Sequence, residues 1–418
     1  MNQVDVLVIG GGPAGSVASA LVHKAGFSVR VVEKEKFPRF VIGESLLPRC
    51  MEVLEACDLL DAVKANNFQE KFGAKFVRGD SELADFNFSE KFTEGWSWTW
   101  QVPRAEFDTT LITAVQQRGV PVDFETAVTA IEFNADESSV TTIQKLSGET
   151  ETIRARFIID ASGYGRVIPK LFKLDTPSSL LARKAVFAHM EDPNRYHYDE
   201  PNRITIVSYA PGIWVWIIPF SSGITSLGFV GEHNFFEKYG SDLDQQFKAM
   251  IEDNAFLKER FSSVKRIFEP RKLEGWSTKT EKFFGNGFVL TGNVTEFLDP
   301  VFSSGVMFAT VSSHVGTKLV IRKLQGQKID WQAEYTDVLQ SGVDTFKAFV
   351  NGWYDGTLEK IFYHKEQNQE VKRQICSILA GYVWDQENPF VRNPESELTR
   401  LSKFISFQER MAAFDAKP

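Results

Sequence analysis

The 418-residue sequence predicts an α/β protein: a parallel-sheet core, an interleaved mixed-sheet domain and a C-terminal helical layer. Three observations predict it. A strand-like run enters a glycine-rich turn and then a helix within the first 25 residues. Two later strand-like runs also end in glycine turns, and tryptophan-bearing strands alternate with these segments. Composition suits a packed chain, at 43% hydrophobic and 24% charged, and excludes disorder or a small disulfide scaffold. Lys and Arg number 47 against 55 Asp and Glu. The net charge of −8, with no basic run, argues against nucleic acid or an anionic membrane as partner. Aromatics reach 13%, with 36 Phe and 9 Trp, enough to line a large apolar cavity as well as a core.

Cysteine usage points to a cytosolic, metal-free chain. Cys50 and Cys57 are spaced to share one helix face, Cys376 stands alone, and the six His are scattered. Met1-Asn2-Gln3-Val4-Asp5 has no basic n-region, which argues against a signal peptide. The longest apolar run, Ile213 to Phe220, is far short of the ~20 residues a membrane helix needs, so no transmembrane segment is expected.

In chain order, Val4 to Ile9 reads as a buried parallel strand, and Gly10-Gly11-Gly12-Pro13-Ala14-Gly15 as the turn after it. A helix over Ser16 to Ala25 and a second strand from Ser28 to Val32 follow, ending on Glu33. Strand, G-x-G-x-x-G, helix, strand and acid within one short unit form a dinucleotide fingerprint. The glycines let backbone N–H groups and the helix N-terminus approach a pyrophosphate, and Glu33 would accept hydrogen bonds from ribose hydroxyls. This unit alone does not separate FAD from NAD. Phe157-Ile158-Ile159-Asp160-Ala161-Ser162-Gly163 and Phe288-Val289-Leu290-Thr291-Gly292-Asn293 repeat the strand-to-glycine turn. Three such turns fit one long cofactor touched at several points.

With these turns the chain resembles flavoproteins of the p-hydroxybenzoate hydroxylase type, which implies a Rossmann-like FAD-binding domain. That domain would be discontinuous, over 1–80, 100–170 and 270–325. Residues 81–100 and 180–270 would form a substrate-binding sheet domain, and 326–418 a C-terminal helical region with a charged tail over the pocket. The resemblance implies FAD contacts at Gly10, Gly12, Pro13, Ala14, Gly15, Glu33, Lys34, Asp160, Gly163, Gly292, Asn293, Gly305 and Val306. Asn293 stands where the family has Asp; an amide keeps the hydrogen bond and loses the charge, so weaker binding of FAD is expected. Val102-Pro103-Arg104 places Arg104 near FAD, with a salt bridge to Glu106 or Asp108 as the blander reading.

Two tryptophan runs carry the next step. The indoles of Trp96, Trp98 and Trp100 alternate, as do Trp214 and Trp216, so each set should share one face of a strand. Spacing alone favours sheet-core packing. Trp214-Val215-Trp216-Ile217-Ile218-Pro219, however, resembles the Trp-x-Trp-x-Ile-Pro signature of flavin-dependent halogenases. Glu70-Lys71-Phe72-Gly73-Ala74 is similar to the lysine stretch of the phenol and pyrrole halogenases, against the plainer reading of a surface lysine. Pro38-Arg39 and Gly43-Glu44-Ser45 resemble the same group's FAD contacts, at Arg39, Glu44 and Ser45. Phe349 to Phe362, Ile378 to Gly381 and Asn388-Pro389-Phe390 resemble its C-terminal helices. In Asp299-Pro300-Val301-Phe302-Ser303-Ser304-Gly305-Val306, backbone N–H groups of Ser304 and Gly305 would hold a halide, while helix capping by Ser303 or Ser304 is equally open. Phe302 replaces the catalytic glutamate of tryptophan halogenases, which points to the phenol/pyrrole subclass.

The resemblance implies that reduced FAD (FADH2), O2 and chloride or bromide give hypohalous acid. That species would pass Trp214 and Trp216 to Lys71, and from Lys71 to an electron-rich aromatic substrate, small or tethered to a carrier protein. Trp96, Trp98, Trp100 and Phe302 would line the substrate path. A separate flavin reductase would explain the absence of a second nucleotide fingerprint, although hydroxylases of this fold lack one too. Three alternatives stay open: a geranylgeranyl-reductase-like prenyl reductase, an aromatic-ring monooxygenase, and a flavin-binding protein without turnover.

Overall fold

The computed structural model describes residues 2–79, 82–178, 181–366 and 368–415. The chain divides into two compact units, each assembled from three segments. The first comprises Met1–Asn67, Val102–Leu181 and Trp276–Gln340; the second comprises Phe68–Gln101, Ala182–Gly275 and Ser341–Pro418.

The first unit is built on parallel strands in the order Phe288–Leu290, Thr150–Asp160, Gln3–Ile9, Val29–Val32 and Val122–Asp123. Strands covered on both faces must be apolar throughout. Val6, Leu7 and Val8 are accordingly fully buried, as are Ile158 and Ile159. Thr126–Phe133 and Ser139–Lys145 form an antiparallel meander onto the first half of Thr150–Asp160. The helix after the first turn runs Pro13–Lys24, starting earlier than Ser16 because proline at the first helical position needs no N–H partner. It packs against Ser304–Leu324, where Ser313 Oγ donates to the Ala14 carbonyl at 2.6 Å. At Gly15 a Cβ would lie 1.9 Å from the Gly10 carbonyl oxygen, so only glycine lets helix and turn meet.

The second unit holds a seven-stranded sheet in the order Arg271–Glu274, Lys184–Glu191, Ile224–Gly231, Ile213–Pro219, Ile204–Ala210, Gly73–Arg78 and Glu82–Asn87. All neighbours are antiparallel except Ile204–Ala210 with Gly73–Arg78. Alternation along a strand divides its residues between two faces. Val215 and Ile217 join one core with Phe247, Met250, Leu257 and Phe261 of the helices Leu243–Glu252 and Ala255–Phe261. Trp214 and Trp216 therefore point to the other face, where Trp214 Nε1 donates to Tyr354 Oη at 2.8 Å.

Two expectations need correction. Residues 68–79 group with the second unit rather than with the FAD-binding segments, because Gly73–Arg78 is stitched between two of its strands. The first tryptophan run is not a strand along its length. Only Thr99–Gln101 is, pairing with Gln69–Lys71, so Trp96 and Trp98 sit on the preceding loop. Their rings still form a ladder, with Trp96–Trp98 at 5.7 Å and Trp98–Trp100 at 5.0 Å, edge to face. Among the described residues no helix is long and apolar enough to cross a membrane, and no group of three His, Cys, Asp or Glu could hold a metal.

Candidate active site

The three glycine turns of the first unit meet at the carboxyl ends of its parallel strands, where open α/β sheets bind ligands. Gly10 N–H donates to the Val32 carbonyl, Ala161 N–H to Ile9 and Thr291 N–H to Asp160, each at 2.8 Å. Gly10 has φ +100, and a Cβ there would come within 2.6 Å of the Ala161 carbonyl oxygen. Gly292, at φ +65, is hemmed in by Ala309 and Ala14 and donates its N–H to Ser312 Oγ at 2.7 Å. Gly163 opens the middle turn at φ +55.

These residues fit the adenosine and pyrophosphate part of FAD. Gly12 caps the helix Pro13–Lys24, whose first turn carries no acidic side chain, so Pro13, Ala14 and Gly15 present a positive helix end. A Cβ on Gly12 would fill the space in front of it, 3.4 Å from Arg39 Nη2. Glu33 is buried. Its Oε2 accepts from Gly11 N–H at 2.7 Å and its Oε1 from Glu35 N–H at 2.9 Å, which leaves lone pairs for ribose hydroxyls. Lys34 has its side chain 61% exposed, 3.9 Å from Glu35.

Arg104 and Arg39 converge on Asp108, which is fully buried. Arg104 Nε and Nη2 donate to Asp108 Oδ1 and Oδ2 at 2.8 and 2.9 Å, and Arg39 Nη1 to Oδ2 at 2.9 Å. The plainer reading of Arg104, an ion pair, is thus present. Burial opposes the Arg104 charge, but Asp108 prevails and raises its pKa. Arg104 Nη1 also donates to the Gly43 carbonyl at 3.2 Å, which brings it beside the buried Glu44 and Ser45. Asp160 shapes its turn: Oδ1 accepts from Ser162 N–H at 3.0 Å and Oδ2 from Ile168 N–H at 2.8 Å. Full burial nevertheless raises its pKa.

Asn293 is half-buried, and its carbonyl accepts from Arg166 Nη1 at 3.0 Å. Beyond the buried Phe302, the chain enters the helix Ser304–Leu324 through Ser303 in a left-handed conformation, φ +58, with no side-chain capping bond. Capping by Ser303 is therefore not made, because the left-handed backbone replaces it. The N–H groups of Ser304, Gly305 and Val306 belong to the first turn, which lacks intrahelical acceptors. A Cβ on Gly305 would press to 2.9 Å from the Phe297 ring.

In the second unit Lys71 is only 2% exposed, which overturns the surface-lysine reading. It ends the strand Gln69–Lys71, opposite Thr99, with Nζ 5.4 Å from the centre of the Phe88 ring. Its neighbour Phe72 is half exposed, 6.4 Å from the Trp98 ring. Gln101, fully buried on the partner strand, donates through Nε2 to the carbonyls of Pro219 and Asn202. The lysine-bearing ribbon is thereby tied to the end of the tryptophan strand. Trp216 Nε1 donates to Ser226 Oγ at 3.0 Å, and its ring lies over Gly228, where a Cβ would come within 2.1 Å.

A family profile described as FAD binding domain matches residues 3–226, over half of the chain. The chain belongs to this family. This FAD-dependent oxidoreductase is similar in sequence to flavin-dependent halogenases. It is 26% identical to the 1H-pyrrole-2-carbonyl-(peptidyl-carrier protein) chlorinase of Pseudomonas fluorescens, over 100% of this chain and 95% of that protein. To the corresponding brominase of Pseudoalteromonas luteoviolacea it is 27% identical, over 92% and 94%. Among solved structures, a flavoprotein/dehydrogenase from Cytophaga hutchinsonii is 54% identical, covering 97% of this chain and 100% of that one at a TM-score of 0.95. The flavin-dependent brominase Bmp2 is 26% identical, over 95% and 99%, at 0.82. The halogenase resemblance read from the sequence holds in both sequence and fold.

The flavoprotein also uses residues that sequence reasoning missed. Arg166, 5% exposed, anchors the third turn through the carbonyls of Asn293 and Val294 and through Thr278 and Asp175. Ser312 holds Gly292, and Gln101 joins the ribbon to the tryptophan strand. Most of these partners are over a hundred residues apart in sequence. Asp108, which also binds Arg39, was named from the sequence because it lies four residues after Arg104 on one helix.

Proposed function

We propose that this oxidoreductase is a halogenase, in which Lys71 passes oxidised chloride or bromide to an electron-rich phenol or pyrrole. One observation carries the reading: Lys71 is 2% exposed, on a ribbon whose neighbours include the Phe88 ring and Trp100, an apolar setting suited to an amine that takes up an electrophilic halogen. Bound and reduced, FAD supplies the electrons, so that FADH2, O2, a proton and halide yield FAD, water and hypohalous acid. The chain contributes the rest. First-turn N–H groups of Ser304 and Gly305 hold the halide. Trp214 and Trp216, fixed by Tyr354 and Ser226, offer a rigid apolar wall that excludes water. Lys71 Nζ takes up the hypohalous acid and delivers it. The aromatic ring gains a carbon–halogen bond and loses a proton, and water is released.

The two carrier-protein pyrrole halogenases make a carrier-tethered pyrrole-acyl group the first substrate to try, with small phenols next. A separate reductase supplies the reduced flavin. The Cytophaga flavoprotein/dehydrogenase favours a second reading, oxidation of an organic substrate without halide.

One experiment separates the two. Photoreduced enzyme is mixed with O2 with and without bromide, and hypobromite is trapped. Halide-dependent trapping is expected, and Lys71→Ala should keep the trapped hypobromite yet lose the aryl bromide. Re-oxidation that ignores bromide and yields no trapped hypobromite refutes the halogenase reading.

A further inference from the structure

The last helix, Pro394–Asp415, has two apolar faces. One is used within the second unit: Leu398 and Ile405 are 3% exposed, and the helix packs on Thr357–Phe362 and Pro389–Arg392. The other carries Phe404, Phe407, Met411 and Phe414, which are 56%, 55%, 46% and 73% exposed. At roughly 100° per residue these four fall in one narrow sector on the far side from Ile405. Their spacing of three, four and three is the seam of a two-stranded coiled coil. Scattered exposed apolar side chains are ordinary, whereas a continuous stripe of three Phe and a Met marks an interface.

We propose that this stripe pairs with the same stripe of a second copy of the chain, the two helices running parallel. The area suffices. Large apolar side chains offer ~150–250 Å² each, so at these exposures the stripe holds roughly 400–500 Å² per copy. Two copies bring about 900 Å², and the stems of Lys403, Gln408 and Arg410 beside the seam take the total towards the ~1,200 Å² of a stable interface. Charge sets the direction. Lys403 and Arg410 flank one side of the stripe and Gln408 the other. Parallel helices set Lys403 against the second copy's Gln408, an amide that can accept its hydrogen bond. Antiparallel helices would set Lys403 against the second copy's Arg410, a like-charge pair.

Sedimentation equilibrium of the full FAD-loaded chain at about 1–100 µM tests this. A reversible monomer–dimer equilibrium is expected. The double variant Phe407→Glu/Met411→Glu should weaken it at least tenfold while leaving flavin absorbance, and thermal unfolding at concentrations where the chain is monomeric, unchanged, since both side chains are exposed. Phe404→Cys reports direction: parallel pairing brings the two thiols within disulfide reach, whereas antiparallel pairing separates them by about 15 Å. The three native cysteines are buried and stay out of this readout. A chain that remains monomeric at the highest concentration overturns the proposal, as does a dimer untouched by the double variant. A monomer that binds phosphatidylcholine/phosphatidylglycerol vesicles through the stripe overturns it in favour of a bilayer, and absence of the Phe404→Cys cross-link overturns the parallel arrangement.

Discussion

Replacing Gly228 by Ala should damage the tryptophan wall from behind. Gly228 is paired with Trp216 across the sheet, and a Cβ there would stand 2.1, 2.4 and 2.5 Å from Cζ2, Cε2 and Cη2 of the indole. These are rigid ring atoms, so the ring itself must move by more than ~1 Å to reach normal contact. It has little room, being 7% exposed, with Phe187 and Trp214 rings at 5.9 and 6.0 Å. Overpacking of this kind costs ~1–3 kcal/mol, and losing the Nε1 bond to Ser226 about 1 kcal/mol more. The sum, ~2–4 kcal/mol, should lower the unfolding midpoint of a unit of about 200 residues by ~5–15 °C. Thermal unfolding followed by near-UV circular dichroism reads this directly. A cycle with Trp216→Ala supplies the control: without the ring the alanine has space, so the two changes should be coupled by at least ~1 kcal/mol. Additive effects, or a single-variant loss below ~0.5 kcal/mol, refute the steric argument.

Three further outcomes are expected. Asp108→Asn leaves Arg104 and Arg39 without their shared buried carboxylate and should cost ~3–5 kcal/mol, with flavin lost on gel filtration; a wild-type midpoint and full flavin retention would contradict this. His314, in the helix Ser304–Leu324, has its pKa lowered to about 4 by burial and by Lys318 and Arg49. The unfolded chain takes up this proton near pH 6.5 and the folded one only near 4, so stability is intact above pH 7 and falls as pH drops through that window. The loss reaches about 2 kcal/mol at pH 5, and in His314→Gln that part of the urea-unfolding pH profile should flatten. Gln101→Glu sets a carboxylate against the carbonyls of Pro219 and Asn202. Stability should fall by ~1–3 kcal/mol at pH 8 and recover towards pH 5, where a protonated carboxyl can donate again; a pH-independent loss would show that the amide bonds are not the cause.

The FAD-binding frame was legible because its signal is local. Strand, glycine turn, helix, strand and Glu33 fall within some thirty residues, and Gly10 and Gly15 prove to occupy places where a side chain collides. The buried Lys71 was less so. It lies on a three-residue strand whose partner, Thr99, comes from a loop-borne segment, so no periodicity announces its burial. The alternation of Trp96, Trp98 and Trp100 correctly brought their rings together but misplaced two of them on a strand, because a loop can stack alternate rings as well. Capping by Ser303, left open in the sequence, is not made for a different reason: the left-handed conformation of Ser303, not its residue type, decides how the helix begins. The C-terminal segment read as a charged tail, which its composition supports. The apolar stripe emerges only once Ile405 shows which side of the helix is already covered.

Both units are stitched from three separated stretches of chain, and this bears on how the protein comes into being. Phe288–Leu290 belongs to a sheet begun at Gln3, so the first parallel layer stays incomplete until about seven-tenths of the chain has left the ribosome. The second unit waits longer still: Trp214 meets Tyr354, and Thr93 bonds Asp385, only after nearly the whole polypeptide exists. Such long-range closure is slow and leaves sheet edges and aromatic faces uncovered during synthesis. A nonsense mutation near residue 340 would therefore release every segment of the first unit, and a second unit lacking its last segment, Ser341–Pro418. It would leave the tryptophan strand without Tyr354 against Trp214, and the cell would meet that uncovered aromatic face as a substrate for chaperones and proteases.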